Sequence, residues 1–354
     1  MSTLSRKELT AALAARQLLL ERVRLSPARA VAHLTPLQGQ EPMAPFIALA
    51  ARLEGFARAD LEAAIERREV VKTTIMRLTL HLAAGADYPA FAQLARQPHL
   101  RAWRKRYAHL DEERVVADLG AWLREPRTNA EIRERVGRLE GVPDEPYAPI
   151  FFARTVLPLV QPAPAGFWGA RRRPTFVVDP RPLPSPEDAA EHVLRRYLAA
   201  FGPASRRDAA TWAGVAQRDL APGWERIGTV AFRDERGTEL HDLPGAPLPP
   251  GSTTIPVRFL SRWEQVLLAH DDRSRVLPDE LLGLRLTLSG DQTVLVDGRV
   301  AASWKLERTK RVARVVVEPH AAIPRRALAG LRAEARRTAA FCHPEAATVE
   351  VAGV

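Results

Sequence analysis

Apolar positions along the first hundred residues repeat with a helical period and then switch to alternation. Ser5 precedes a run with Leu9, Leu13 and Leu18 on one face, which predicts a capped amphipathic helix. Ser26-Pro27 marks a second helix start, because proline at the first helical position gives up no useful N–H. Residues 44–61 read as a third helix. The segment Glu69–Leu82 is rich in β-branched residues and alternates like a half-buried hairpin.

Helices followed by a strand pair describe a winged helix, and the order recurs twice. Residues 110–123 are helical, and Thr128 caps a helix carrying Ile132 and Val136. Residues 151–160 and 167–178 are apolar runs joined by the turn at 162–166, with an arginine cluster beside it, as in a basic wing. After Pro184–Pro186 comes a helix over 187–201, a helix–turn–helix over 203–214, and strands near 228–233 and 239–243. Pro244–Pro250 introduces a β-rich tail. Its strands are expected at 284–288, 293–296, 300–306, 312–318 and 348–351, with an Asp297-Gly298 turn and a helix over 325–341. The fold class is therefore α+β: tandem winged-helix units at 1–100, 101–183 and 184–255, then a barrel-like β domain at 256–354.

Charge adds a partner to this picture. Lys and Arg number 52 against 42 Asp and Glu, a formal charge of +10, and the pI is near 10.5. That balance suits a polyanion, with nucleic acid ahead of an anionic membrane surface; a GC-rich genome that favours arginine is the bland alternative. Cys342 is the sole cysteine, so neither an internal disulfide nor a cysteine zinc site can form. The polar start and the lack of a run of roughly eighteen apolar residues leave the cytoplasm as the expected location. Walker, dinucleotide, zinc-protease and serine-elbow motifs are missing, so no cofactor or metal is expected.

Candidate chemistry lies in Leu37-Gln38-Gly39-Gln40-Glu41-Pro42. Residues two apart in an extended stretch point the same way, so the amides of Gln38 and Gln40 can address one point. Each offers a carbonyl acceptor and an NH₂ donor, enough to hold a water or a base edge. A polar loop between helices is the bland alternative. Glu41 adjoins the motif but is expected to point away or pair with an arginine. Three basic clusters could meet phosphate: Arg101, Arg104, Lys105 and Arg106, interleaved with Trp103 and Tyr107; Arg171, Arg172 and Arg173 at a wing; and Lys305, Lys310 and Arg311 with Arg308 and Arg314. Arg77 and Thr79 alternate with His81 on one strand face; the first two could contact DNA, while His81 reads better as locally satisfied.

The chain resembles the AlkZ/YcaQ family of DNA glycosylases over nearly its whole length. The resemblance rests on Arg16-Gln17-x-Leu, Leu37-Gln38-Gly-Gln40-x-Pro, Arg52-Leu53-x-Gly55-Phe56 and Met76-Arg77-x-Thr79-Leu80-His81. Farther on it includes Phe167-Trp168-Gly169, Leu267-Leu268-x-His270-x-x-Arg273 and Val296-Asp297-Gly298-x-Val300-x-x-x-Trp304. It implies three winged helices around a cleft, braced by a C-terminal β-barrel, with Gln38 and Gln40 as the catalytic pair. Gly39 stands where the family carries a bulkier aliphatic residue, and Leu78 where it carries glycine. The implied activity is monofunctional hydrolysis of N7-alkylguanine from double-stranded DNA, extending to bulky antibiotic adducts and interstrand crosslinks, by a cofactor-free monomer. An N7-alkylated guanine is cationic and leaves as a neutral base, so a positioned water and oriented dipoles replace a strong acid. The rival readings are a winged-helix transcriptional regulator and a scaffold for protein partners.

Overall fold

The computed structural model describes residues 1–143, 145, 147–170, 173–283 and 290–354. Strand β1 (Thr3–Leu4) leads into α1 (Arg6–Arg16), whose N-terminus is a reciprocal box: Ser5 Oγ accepts from Glu8 N, and the Glu8 carboxylate accepts from Ser5 N at 2.8 Å. The helix stops at Arg16, short of Leu18, which takes a positive φ of 54°. Helix α2 (Pro27–Leu34) is capped by Ser26. The single helix expected over 44–61 is two, α3 (Ala44–Ala50) and α4 (Arg58–Glu66); Gly55, at φ +71°, turns the chain between them.

One six-stranded sheet joins the first two expected units. Its order is β2 (Leu37–Gln38), β4 (Leu80–Ala84), β3 (Val70–Thr74), β6 (Leu159–Gln161), β7 (Thr175–Val178) and β5 (Arg127–Thr128). The expected hairpin is β3–β4, with Thr73 opposite His81, closed by a single 3₁₀ turn over Met76–Leu78. Helix α5 (Tyr88–Arg106) runs unbroken across residue 100, where a boundary was expected. Its aromatics face inward: Trp103 and Tyr107 pack with Phe152 of α8 (Ala148–Val156) at ring separations of 5.1–5.5 Å. Residues 151–156, expected in a strand, thus belong to a helix. The second group also holds α6 (Glu112–Trp122) and α7 (Asn129–Val136), the latter capped by Thr128.

The third group is α9 (Pro186–Phe201), α10 (Arg206–Ala213), α11 (Gln217–Arg226) and the hairpin β8 (Val230–Asp234) with β9 (Glu239–Asp242). Gly214 ends α10 in the left-handed region, which sets the short link to α11. β1 pairs in parallel with β8, Thr3 opposite Arg233, so segment 3–4 completes a three-stranded sheet in this third group. Behind that seam Arg16 and Asp242 form a bidentate pair at 2.7 Å, both buried.

The tail is a five-stranded sheet in the order β10 (Arg258–Phe259), β11 (Gln292–Val296), β12 (Arg299–Arg308), β13 (Val312–Pro319) and β14 (Thr348–Ala352). Asp297 (φ 50°) and Gly298 (φ 78°) make the two-residue turn between β11 and β12. The sheet curls against the helix Arg325–Cys342, with Trp304, Val315 and Val317 meeting Leu331, Ala335 and Ala339 in one core. It is half a barrel: β10 and β14 are its edges and do not pair. The strand expected at 284–288 lies outside the described residues. No helix among the described residues is long and apolar enough to cross a membrane.

Candidate active site

The glutamine motif enters the large sheet at its edge. Gln38 pairs opposite His81 of β4, and Gly39 N donates to Leu80 O at 2.8 Å. Gln38 is buried; its Nε2 donates to Thr79 Oγ1 at 3.3 Å and its Oε1 accepts from Gly39 N at 3.0 Å. Thr79 Oγ1 in turn donates to Met76 O at 3.1 Å. Gly39 is pinned: a Cβ there would come within 3.3 Å of the His81 carbonyl carbon, so the turn lies flat on β4. Gln40 is exposed. The Glu41 carboxylate accepts from Met43 N at 2.7 Å and Ala44 N at 3.0 Å, closing the start of α3, and so is taken up locally.

Beyond Gln40 opens a cavity of about 470 Å³. Its walls are the β3–β4 hairpin, α5 and α8, with Thr73, Leu80, Tyr88, Arg96, His99 and Phe151 among the lining residues. Of the two glutamines, only Gln40 lines it. Leu78 and Tyr147 also line it and are exposed, at 43% and 79%. Among the described residues the lining holds amides, hydroxyls, arginines and one histidine, but no carboxylate and no lysine. Burial lowers the pKa of Arg96, Arg154 and His99, the last helped by Arg154, so His99 is neutral at physiological pH. Asn129 Oδ1 and Arg154 Nε are buried without a hydrogen-bond partner.

Other expected residues serve structure. Arg77 turns inward: its Nη1 donates to Trp212 O, and burial drops its pKa to about 10. That corrects its expected place at phosphate, for the guanidinium is spent on the end of α10. Thr79, half-buried, accepts from Gln38 and donates to Met76 O. His81 is fully buried, with Nδ1 on Thr79 O at 2.9 Å and a pKa pushed down to about 3 by burial and by Arg77.

The basic clusters divide. Arg104 is held by Glu112 at 2.7 and 2.9 Å, Arg101 by Asp219 at 2.6 Å and Lys305 by Glu318 at 2.9 Å. Lys105, Arg106, Arg173, Lys310 and Arg311 are exposed. Arg171 and Arg172 lie outside the described residues. Trp168, expected in a wing, packs between Phe46 and Phe341 with Arg58 3.8 Å above its ring.

The model of the DNA glycosylase AlkZ-like family matches residues 31–341. The chain belongs to that family. This AlkZ-like protein is a DNA-repair glycosylase, a hydrolase of N-glycosyl bonds whose substrate is DNA. Its fold is similar to that of Streptomyces sahachiroi DNA glycosylase AlkZ, at a TM-score of 0.77 and 19% identity over 99% of this chain and 100% of that one. No curated protein matches the AlkZ-like chain by sequence.

The residues that carry the family resemblance are largely buried ties between segments. Gln17 Nε2 reaches Ala200 O at 3.0 Å, Arg52 bonds Gln17 O at 2.9 Å and Glu264 at 2.9 Å, and Trp304 Nε1 bonds Leu260 O at 2.9 Å. What sequence reading missed is the cavity wall. Asn129, Tyr147 and Arg154 come from α7, the segment before α8 and α8 itself, and no local motif announces them.

Proposed function

We propose that this glycosylase removes N7-alkylated purines from duplex DNA by attack of water at C1′, without a covalent enzyme intermediate. The observation that carries the reading is the lining beside Gln40: neither a carboxylate base nor a lysine nucleophile is among its described residues. Such a site suits a leaving group that is already activated. The alkylated base carries the positive charge, and as the C1′–N9 bond breaks the electron pair goes to the base while the charge passes to the sugar. Oriented amide carbonyls then stabilise the sugar cation and hold the water. Gln40 is placed to do this from the cavity mouth. Gln38, fixed by Thr79 and Gly39, holds the motif in register and turns its carbonyl toward the substrate when DNA binds.

Three helical groups, each with a hairpin, fit the winged-helix reading of the chain. Among the described residues of the three basic clusters, Lys105, Arg106, Arg173, Lys310 and Arg311 are exposed to meet phosphate, and the protein acts as a monomer on alkylated double-stranded DNA. Purified protein incubated in EDTA with a duplex bearing one N7-methylguanine should release the free base and leave an abasic site. Tight binding of that duplex without release would replace the enzyme by a regulator.

A further inference from the structure

The C-terminal helix Arg325–Cys342 carries charge on its outer face that the cavity does not use. Its arginines are Arg325, Arg326, Arg332, Arg336 and Arg337; its acid, Glu334, is buried against Arg22. On the flanks, Arg326 pairs with Asp297 at 2.7 Å and Arg337 with Glu54 at 3.3 Å. Arg325, Arg332 and Arg336 are exposed, and among the described residues none of them has an ion-pair partner. Successive spacings of seven and four residues put these three on one line of the helix, with rises of about 10.5 and 6 Å between them. Ala329, Gly330 and Ala333 are exposed between them, so no side chain there stands taller than the guanidinium groups.

The ridge continues past the end of the helix. His343 Nε2 donates to Thr309 O at 2.9 Å, which ties the β12–β13 turn to that end, and Arg308, Lys310 and Arg311 of the turn are exposed. Glu345, exposed there, is turned to His343 at 3.2 Å. The same end borders the glutamine motif: Phe341 packs against Trp168, and Trp168 against Phe46 of α3, the helix that follows Glu41. Arg325 lies about 24 Å along the helix from Phe341, the rise of about seven base pairs.

We propose that this ridge is a second, lesion-independent contact with DNA, holding the phosphate backbone of the duplex that flanks the lesion. The proposal rests on DNA as the substrate and on no step of the hydrolysis. Three features select a phosphate backbone as the occupant. The guanidinium groups follow a straight line, as a rod-like polyanion requires, and each can grip a phosphate with two N–H donors. Arg332 and Arg336 are like charges one turn apart, an arrangement that weakens a helix until an outside anion lies over it. The exposed positions of the helix hold no large apolar side chain, so the face offers nothing to insert into lipid and no apolar anchor for a protein. Held here, undamaged duplex is gripped before a lesion reaches Gln40.

The test compares wild type with the triple variant Arg325→Gln, Arg332→Gln and Arg336→Gln, whose changes are exposed and place a good helix former at each position. Fluorescence anisotropy with an undamaged duplex of about thirty base pairs gives the affinity over a salt series. The variant's slope of log K against log salt should flatten by up to about 2.7, about 0.9 for each of three phosphates, and its affinity at about 0.1 M salt should fall tenfold or more. Lysine at the same three positions keeps the charge and should restore the slope, which separates a lost phosphate contact from misfolding. Around a single N7-methylguanine, the wild-type hydroxyl-radical footprint should extend about seven base pairs farther on one side than the variant's. Wild-type slope and affinity in the glutamine variant would overturn the proposal, as would a lysine variant no better than the glutamine one, or an unchanged footprint. Because the affinity is read on undamaged DNA, a failure to release base would sink the hydrolytic reading and leave the ridge standing.

Discussion

Gln38 and Gln40 occupy different environments, and that difference separates folding from chemistry. Gln38→Ala removes a 3.3 Å bond to Thr79 and a 3.0 Å bond from Gly39 N. Neither partner is stranded, since Gly39 N also reaches Leu80 O and Thr79 Oγ1 also reaches Met76 O. The stability cost is then about 1 kcal/mol per bond at most. Gln40 is exposed, so Gln40→Ala should stay within about 0.5 kcal/mol of wild type. Loss of an oriented dipole at the transition state is worth about 2.7–4 kcal/mol, by analogy with a deleted oxyanion-hole donor. That is roughly a hundred- to thousandfold in excision rate. Single-turnover release of N7-methylguanine with enzyme in excess reads the rate, and a urea titration of each variant reads stability. DNA affinity should barely move, because phosphate contacts elsewhere supply most of it. Thr79→Val should give an intermediate loss, and adding it to Gln38→Ala should cost nothing further. Wild-type rates in both alanine variants would refute the assignment and leave the motif as a turn.

Asp242→Ala should destabilise the fold by about 3–5 kcal/mol by denaturant titration, because it strands a buried guanidinium, whereas the double change Arg16→Met with Asp242→Leu should recover most of the loss. His81, with its pKa near 3, and His270, also depressed by burial and by Arg275, are neutral when folded. Their contribution to stability is complete above the unfolded value of 6.5 and is lost as pH falls toward 3, at about 1.4 kcal/mol per pH unit for each; a melting-temperature series from pH 7 to 4 checks the direction. Changing Arg171, Arg172 and Arg173 together to Ala should weaken binding to all sequences alike and flatten the salt slope of log K by up to about 0.9 for each phosphate left unneutralised; an unchanged slope would remove that segment from the DNA interface.

Local signals were readable where local physics decides. The caps at Ser5, Ser26 and Thr128 and the Asp297-Gly298 turn appear as expected, since a cap or a tight turn needs only its own few residues. Helix α5 continues through Pro98 and across the boundary expected at residue 100, a continuity set by packing rather than by local sequence. Trp103 and Tyr107 read as aromatics interleaved with a basic cluster, but the helix turns them inward. Arg77 was misread for a longer-range reason: its partner is the carbonyl of Trp212, more than a hundred residues away. Gln38 and Gln40 stood out as a pair, but the fold decides that only Gln40 lines the cavity.

The parallel pairing of β1 with β8 reaches beyond architecture. A ribosome releases residues 3–16 long before residues 233 and 242, the partners of Thr3 and Arg16, exist. Segment 3–16 must therefore wait, with Leu4 and Leu9 uncovered, until β8 and β9 have been made. Long-range closure of this kind slows folding and leaves apolar surface open to misassociation. The helical groups cannot mature one after another as beads on a string, and a nascent chain arrested near residue 180 should be sensitive to protease from its first helix onward.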